Sequence, residues 1–66
     1  MNKKLVATVD DRIFIIEPDL PEVGAYLRIY RNGKDIADHL QDSVQDCIDF
    51  AQEDFGVPSD EWREME

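Results

Sequence analysis

The sequence predicts a small α+β domain: an antiparallel meander of three to four strands, one amphipathic helix packed across one face, and a short C-terminal helical turn. Three observations carry that expectation. Short β-branched and apolar runs, punctuated by turn residues, fill residues 4–41. An Asn32-Gly33 pair stands between two of them, and a tight hairpin needs such a pair because both central positions take positive φ. From residue 44 the apolar spacing becomes helical and stops at Gly56 and Pro58.

Residues 4–9 read as the first strand, and Asp10-Asp11 as a turn in which short acidic side chains bond locally to the backbone. Residues 12–17 form the returning strand. Residues 18–24 are a loop, since Pro18 and Pro21 lack backbone donors and Gly24 permits positive φ. Residues 25–31 form a third strand and residues 34–39 a fourth, although residues 38–41 could equally be loop. A two-residue turn at Asn32-Gly33 pairs Arg31 with Lys34, Ile29 with Ile36 and Leu27 with Asp38. On that register Leu27, Ile29 and Ile36 face the core, while Tyr26, Arg28, Tyr30 and Ala37 face away.

The helix follows. Val44, Cys47, Ile48, Ala51 and Phe55 form the buried stripe. Ser43 or Asp42 caps the start by accepting an amide N–H. Gly56 supplies the left-handed C-terminal residue, Val57 the accompanying apolar contact, and Pro58 blocks continuation. Ser59 then caps a last turn over residues 60–65, with Asp60 and Glu61 at its positive end.

Sixty-six residues make one domain. A chain this short buries only about 60% of the surface its unfolded form exposes, so its stability is marginal. A single Cys excludes an internal disulfide framework, which makes a reducing, cytoplasmic location the default. The basic start, Met1-Asn2-Lys3-Lys4, is followed by an apolar run that stops at Asp10, too short for an export segment or a membrane span.

Charge is distributed very unevenly. Residues 1–34 hold six Lys/Arg against five Asp/Glu, a net of +1, whereas residues 35–66 hold Arg63 against eleven acids, a net of −10. The total of −9 argues against nucleic acid and anionic membranes as partners, because both are bound through Lys and Arg. It favours a protein partner with a basic surface. At about 100° per residue, Asp42, Asp46, Asp49 and Glu53 cluster opposite the apolar stripe. Two of their pairings are like-charge i, i+4 contacts, each destabilising by roughly 0.2–0.5 kcal/mol. One reading is an anionic ridge for a basic surface; the other is the solvated face of an acidic protein.

A second candidate surface comes from residues 13–16, Ile-Phe-Ile-Ile, which are apolar on both faces of the pleat although one helix covers only one. Phe14, Tyr26 and Tyr30 are the candidates for self-association through the helix-free face. Shielding of that face by Trp62 and Met65 is the alternative, and Trp62 is otherwise expected to close the end of the core.

No catalytic, cofactor or metal site is expected. Cys47 falls in the apolar stripe and reads as an inert hydrophobe. Nucleophilic chemistry by Cys47 with His39 has no third group in its support. His39 with Asp35, Asp38 and Asp42 matches no metal-ligand spacing. The expected role is therefore a non-enzymatic protein-interaction module that forms a homo-oligomer through the sheet.

Two stretches resemble known proteins. Pro18-Asp-Leu-Pro21 together with Ser43-Val-Gln-Asp-Cys-Ile-Asp-Phe-Ala51 is similar to the pattern of HicB-type antitoxins, where a PDLPG segment leads through a short strand into a helix. Here Glu22 replaces that glycine, and about twenty residues separate the two fragments. The resemblance implies an antitoxin- or immunity-type inhibitor that binds a basic enzyme through the acidic helix face. From Tyr26 through Trp62, the strand, NGKDIADHLQDS, the acidic helix, FGVP and the following Trp look like a group of small bacterial proteins of unknown function. That likeness implies the β-then-α order and structural roles for Gly56, Pro58 and Trp62, but no activity.

Overall fold

Two tight turns fold the first half of the chain into strands. In a computed structural model, which describes residues 3–20 and 22–65, Asp10 takes φ 56° between β1 (Leu5–Val9) and β2 (Arg12–Pro18). Asn32 and Gly33 take φ 54° and 76° between β3 (Ala25–Arg31) and β4 (Lys34–Gln41), the backbone that a two-residue hairpin needs. Pro21, assigned above to the loop, and Glu66 lie outside the described residues. The chain continues into α1 (Val44–Phe55) and a two-residue strand, β5 (Arg63–Glu64). The sheet is five-stranded and antiparallel, in the order β4-β3-β2-β1-β5.

The helix begins and ends as its sequence predicts. Ser43 is the cap, extended at φ −154°, and its Oγ accepts the Asp46 N–H at 3.1 Å. At the other end Gly56 is left-handed at φ 71°, its N–H donating to Gln52 O at 3.2 Å. The Val57 N–H reaches Ala51 O at 3.2 Å, and the Val57 side chain is fully buried. Cys47 and Ala51 are buried, and Val44, Ile48 and Phe55 pack against the same core. That core is Ala7, Phe14, Ile16, Ala25, Leu27 and Ile29 from the sheet, closed by the helix and Val57.

Three expectations are corrected. First, β3 and β4 leave register after the hairpin: Tyr30 pairs with Asp35, but Ile29 pairs with Ala37. Ile36 is thus an extra, bulged residue, 52% exposed, while Ala37 turns inward against the core. The returning strand also runs on to Gln41, so residues 38–41 are strand and not loop.

Second, the C-terminal segment is not a helical turn. The Glu61 N–H donates to Pro58 O at 3.1 Å, closing a single turn, and the chain then pairs Arg63 with Val6 and Glu64 with Leu5. Met65 N–H extends the ladder to Lys4 O at 2.8 Å. The open edge of β1 offers these residues more backbone hydrogen bonds than one short helical turn could. Trp62 is half-buried against the core, as expected of a residue closing its end.

Third, Phe14 does not belong to the helix-free face. It is fully buried on the helix side, where its ring meets that of Phe55 at 5.7 Å between centroids. Its cross-strand partners, Ala7 and Ile29, are core residues too, and opposed residues of paired strands share a face.

Candidate functional site

The charged side chains separate into two surfaces, and the strand and helix periods decide which residue joins which. On α1 the period of 3.6 residues turns Asp46, Asp49 and Glu53 to solvent, opposite Cys47 and Ala51. Asp42 is exposed as well, but it precedes the Ser43 cap and so lies just outside the helix. Asp49 accepts a hydrogen bond from the Gln45 amide at 3.0 Å. Among the described residues, no cationic side chain comes within 4.0 Å of these four carboxylates. Asp46 suits the positive N-terminal end of the helix, but Glu53 and Asp54 stand at its negative end, where the last turn holds no basic residue.

The helix-free face of the sheet is different in kind. Alternation places Val6, Ile13, Ile15, Tyr26, Arg28 and Tyr30 there, with Glu17, Asp35 and Asp38 around them. Arg28 organises this face. Its Nε donates to Glu17 Oε1, its Nη1 reaches Asp38 Oδ1 at 3.2 Å, and Asp35 lies at 4.0 Å. The guanidinium stands 5.3 Å from the centroid of the Tyr26 ring. Lys4 approaches Glu17 at 3.1 Å. The hydrogen bond from Arg28 holds the Glu17 carboxyl below its usual range; partial burial opposes this and Lys4 adds to it. Glu17 in turn raises the pKa of Arg28.

Of the three residues expected to mediate self-association, Tyr26 and Tyr30 lie half-buried on this face, and Phe14 does not. Arg28, Glu17 and Arg63 were missed in the sequence. Arg28 sits between two tyrosines at period two, a signal that could have marked it; Arg63 could not be placed without the β5 pairing.

Cys47 and His39 have separate surroundings. The Cys47 thiol is fully buried and donates to Ala25 O at 3.6 Å. Burial, with a smaller contribution from Asp46, pushes the thiol up to about 11. His39 packs on Phe50 at 4.8 Å and Phe55 at 6.2 Å between ring centroids. Alternation also parts His39 from Asp35 and Asp38, which point to the opposite face. Among the described residues, no three His, Cys, Asp or Glu side chains gather as a metal ion requires.

At pH 8 the folded thiol is expected to hold about a hundredfold less thiolate than an ordinary one, in addition to steric protection. Iodoacetamide should therefore label Cys47 only as fast as the chain unfolds. Rapid labelling under native conditions would contradict the buried placement.

Among the described residues, no helix is long and apolar enough to cross a membrane. A scan against protein-family models, a search of curated proteins and a search of solved structures each return no match.

Proposed function

We propose that this chain acts by binding and not by catalysis, as a small cytoplasmic interaction module. Its acidic helix face engages a protein with a basic surface, and its helix-free sheet face mediates self-association. Nucleic acid and anionic membranes are not its partners. The observation that carries the reading is the contrast between the two surfaces. Arg28 and Lys4 are engaged by carboxylates on the sheet, while Asp42, Asp46, Asp49 and Glu53 are exposed without a cation among the described residues. Glu53 and Asp54 oppose the helix dipole as well, so stability alone does not account for this helix's charge. An antitoxin- or immunity-type inhibitor would use the same ridge against a basic enzyme, and a neighbouring gene for a small basic toxin would single out that version.

Two equal-charge variants test the ridge. In one, Asp42, Asp46 and Asp49 become Asn and Glu53 becomes Gln. In the other, the exposed residues Asp10 and Asp60 become Asn, and Glu22 and Glu61 become Gln. Partners captured by the wild type should persist with the second variant, vanish with the first, and weaken as salt screens exposed charge. The stability of the ridge variant should change by no more than about 0.5 kcal/mol, because loss of the like-charge pair Asp49/Glu53 is offset by loss of Asp46 at the positive end of the helix. Retention of every partner by the ridge variant would refute the assignment.

A further inference from the structure

The helix-free face carries its charges in an order that a second copy of the same chain can read. Across the five strands one row runs Arg63, Val6, Ile15, Arg28, Asp38, because these residues oppose one another in successive pairings. A cation therefore stands at the β5 edge and a carboxylate at the β4 edge. Ile15 lies at the middle of the row, on the central strand. On the same strand Ile13 is 41% exposed. Counting Lys4, Arg28 and Arg63 against Glu17, Asp35 and Asp38, this face is neutral in a chain of net −9. Two such chains repel through most of their surface and meet without that repulsion here.

We infer that two copies pack these faces together about a two-fold axis lying along β2, so that Arg63 of each copy pairs with Asp38 of the other. This rests on the self-association reading above and gives it a geometry. An in-plane axis parallel to the central strand exchanges the two sheet edges while keeping each row in place. Ile15 then meets Ile15 and Ile13 meets Ile13, as an isologous contact requires. The edge charges are brought together twice, once at each side.

Both edge groups have bonding capacity left. Among the described residues, Arg63 has no carboxylate within 4.0 Å, and Asp38 gives only Oδ1 to Arg28 while its side chain stays 49% exposed. Packed sheets rotate by about 30°, which displaces an edge by about 5 Å, within reach of an Arg side chain. Five strands at roughly 4.8 Å spacing and about six residues at 3.3 Å make a face near 20 Å on each side. Each face then covers about 400 Å², and a pair buries about 800 Å², below the roughly 1,000 Å² of a stable interface, so the contact is a weak one. The dimer is accordingly concentration-dependent.

Light scattering across concentration, on wild type, Arg63→Glu, Asp38→Arg and the double variant, tests this. Circular dichroism would confirm that each is folded, with Arg63→Gln and Asp38→Asn in reserve for a variant that is not. The wild type should rise from 7.7 kDa toward twice that mass. Each single reversal should raise the half-dimerisation concentration by about tenfold or more, because like charges meet at both edges. The double variant, with the pair inverted, should dimerise at lower concentration than either single, short of the wild type because Asp38→Arg also removes the Asp38–Arg28 contact within each copy. Loss in the singles without recovery would overturn the Arg63–Asp38 pairing. A dimer indifferent to all three variants would overturn this geometry and leave self-association standing. A wild type that stays monomeric would overturn self-association itself.

Discussion

Gly24→Ala is expected to cost the fold about 3 kcal/mol or more, a large part of its stability. Gly24 takes φ 110°, where an L side chain is strained, and a Cβ there would lie 2.0 Å from the carbonyl oxygen of Gln41. That oxygen belongs to backbone at the end of β4, next to the link that leads into the helix, so the clash cannot be relieved by a rotamer change. Strained backbone and forced overpacking together cost about 3 kcal/mol or more. A domain of this length has a total stability of roughly 3–10 kcal/mol. Gly56→Ala is the control: its φ is 71°, but a Cβ there meets nothing within 4 Å, so only the backbone penalty of about 1 kcal/mol applies. Thermal melts of the two variants decide the matter. Similar midpoints would mean that the approach of β3 to Gln41 does not constrain the fold.

Phe14→Ala is expected to be nearly as severe, destabilising by about 3–5 kcal/mol. The ring is fully buried, tilted at 51° to Phe55, and Arg12 places its guanidinium 5.4 Å from the ring centroid. Truncation removes that packing and leaves a cavity between sheet and helix, which neighbouring rings cannot fill without leaving their own contacts. Tyr30→Ala, from a half-buried position on the opposite face, should cost distinctly less stability. Urea denaturation of both variants reads the difference. A Phe14→Ala midpoint no lower than that of Tyr30→Ala would contradict the assignment of Phe14 to the core.

These two residues also mark how far the fold was legible in the sequence. Local chemistry was readable wherever one residue type answers one backbone need: Asn32-Gly33 at the hairpin, Ser43 at the helix start, Gly56 at its end. Phe14 was not, because residues 13–16 are apolar without interruption and alternation has no phase in such a run. The phase comes from its neighbours, Ala7 and Ile29, which only the three-dimensional pairing supplies. Ile36 was misplaced because counting by two across a hairpin has no means of seeing an inserted residue. The C-terminal segment has acids suited to a helix start, and its true state depended on an unpaired edge nearly sixty residues earlier. For the candidate site, the exposure of Asp46, Asp49 and Glu53 followed directly from helical spacing, whereas Asp42 is exposed in the link before the helix cap. The role of Arg28 did not, since it depends on three strands lying side by side.

The bulge at Ile36 has a bearing on what this protein avoids. β4 is the longest strand and forms an outer edge of the sheet, with its outward N–H and C=O groups open to any extended chain. An incoming strand would fall out of step with the ladder at residue 36 and would meet Lys34, Asp35 and Asp38 along the way. At the opposite margin, β5 is only two residues long and offers too little length to template another strand. At the β4 margin the sheet thus resists lengthening, and stacking of copies there is discouraged by the same irregularity that turns Ile36 outward.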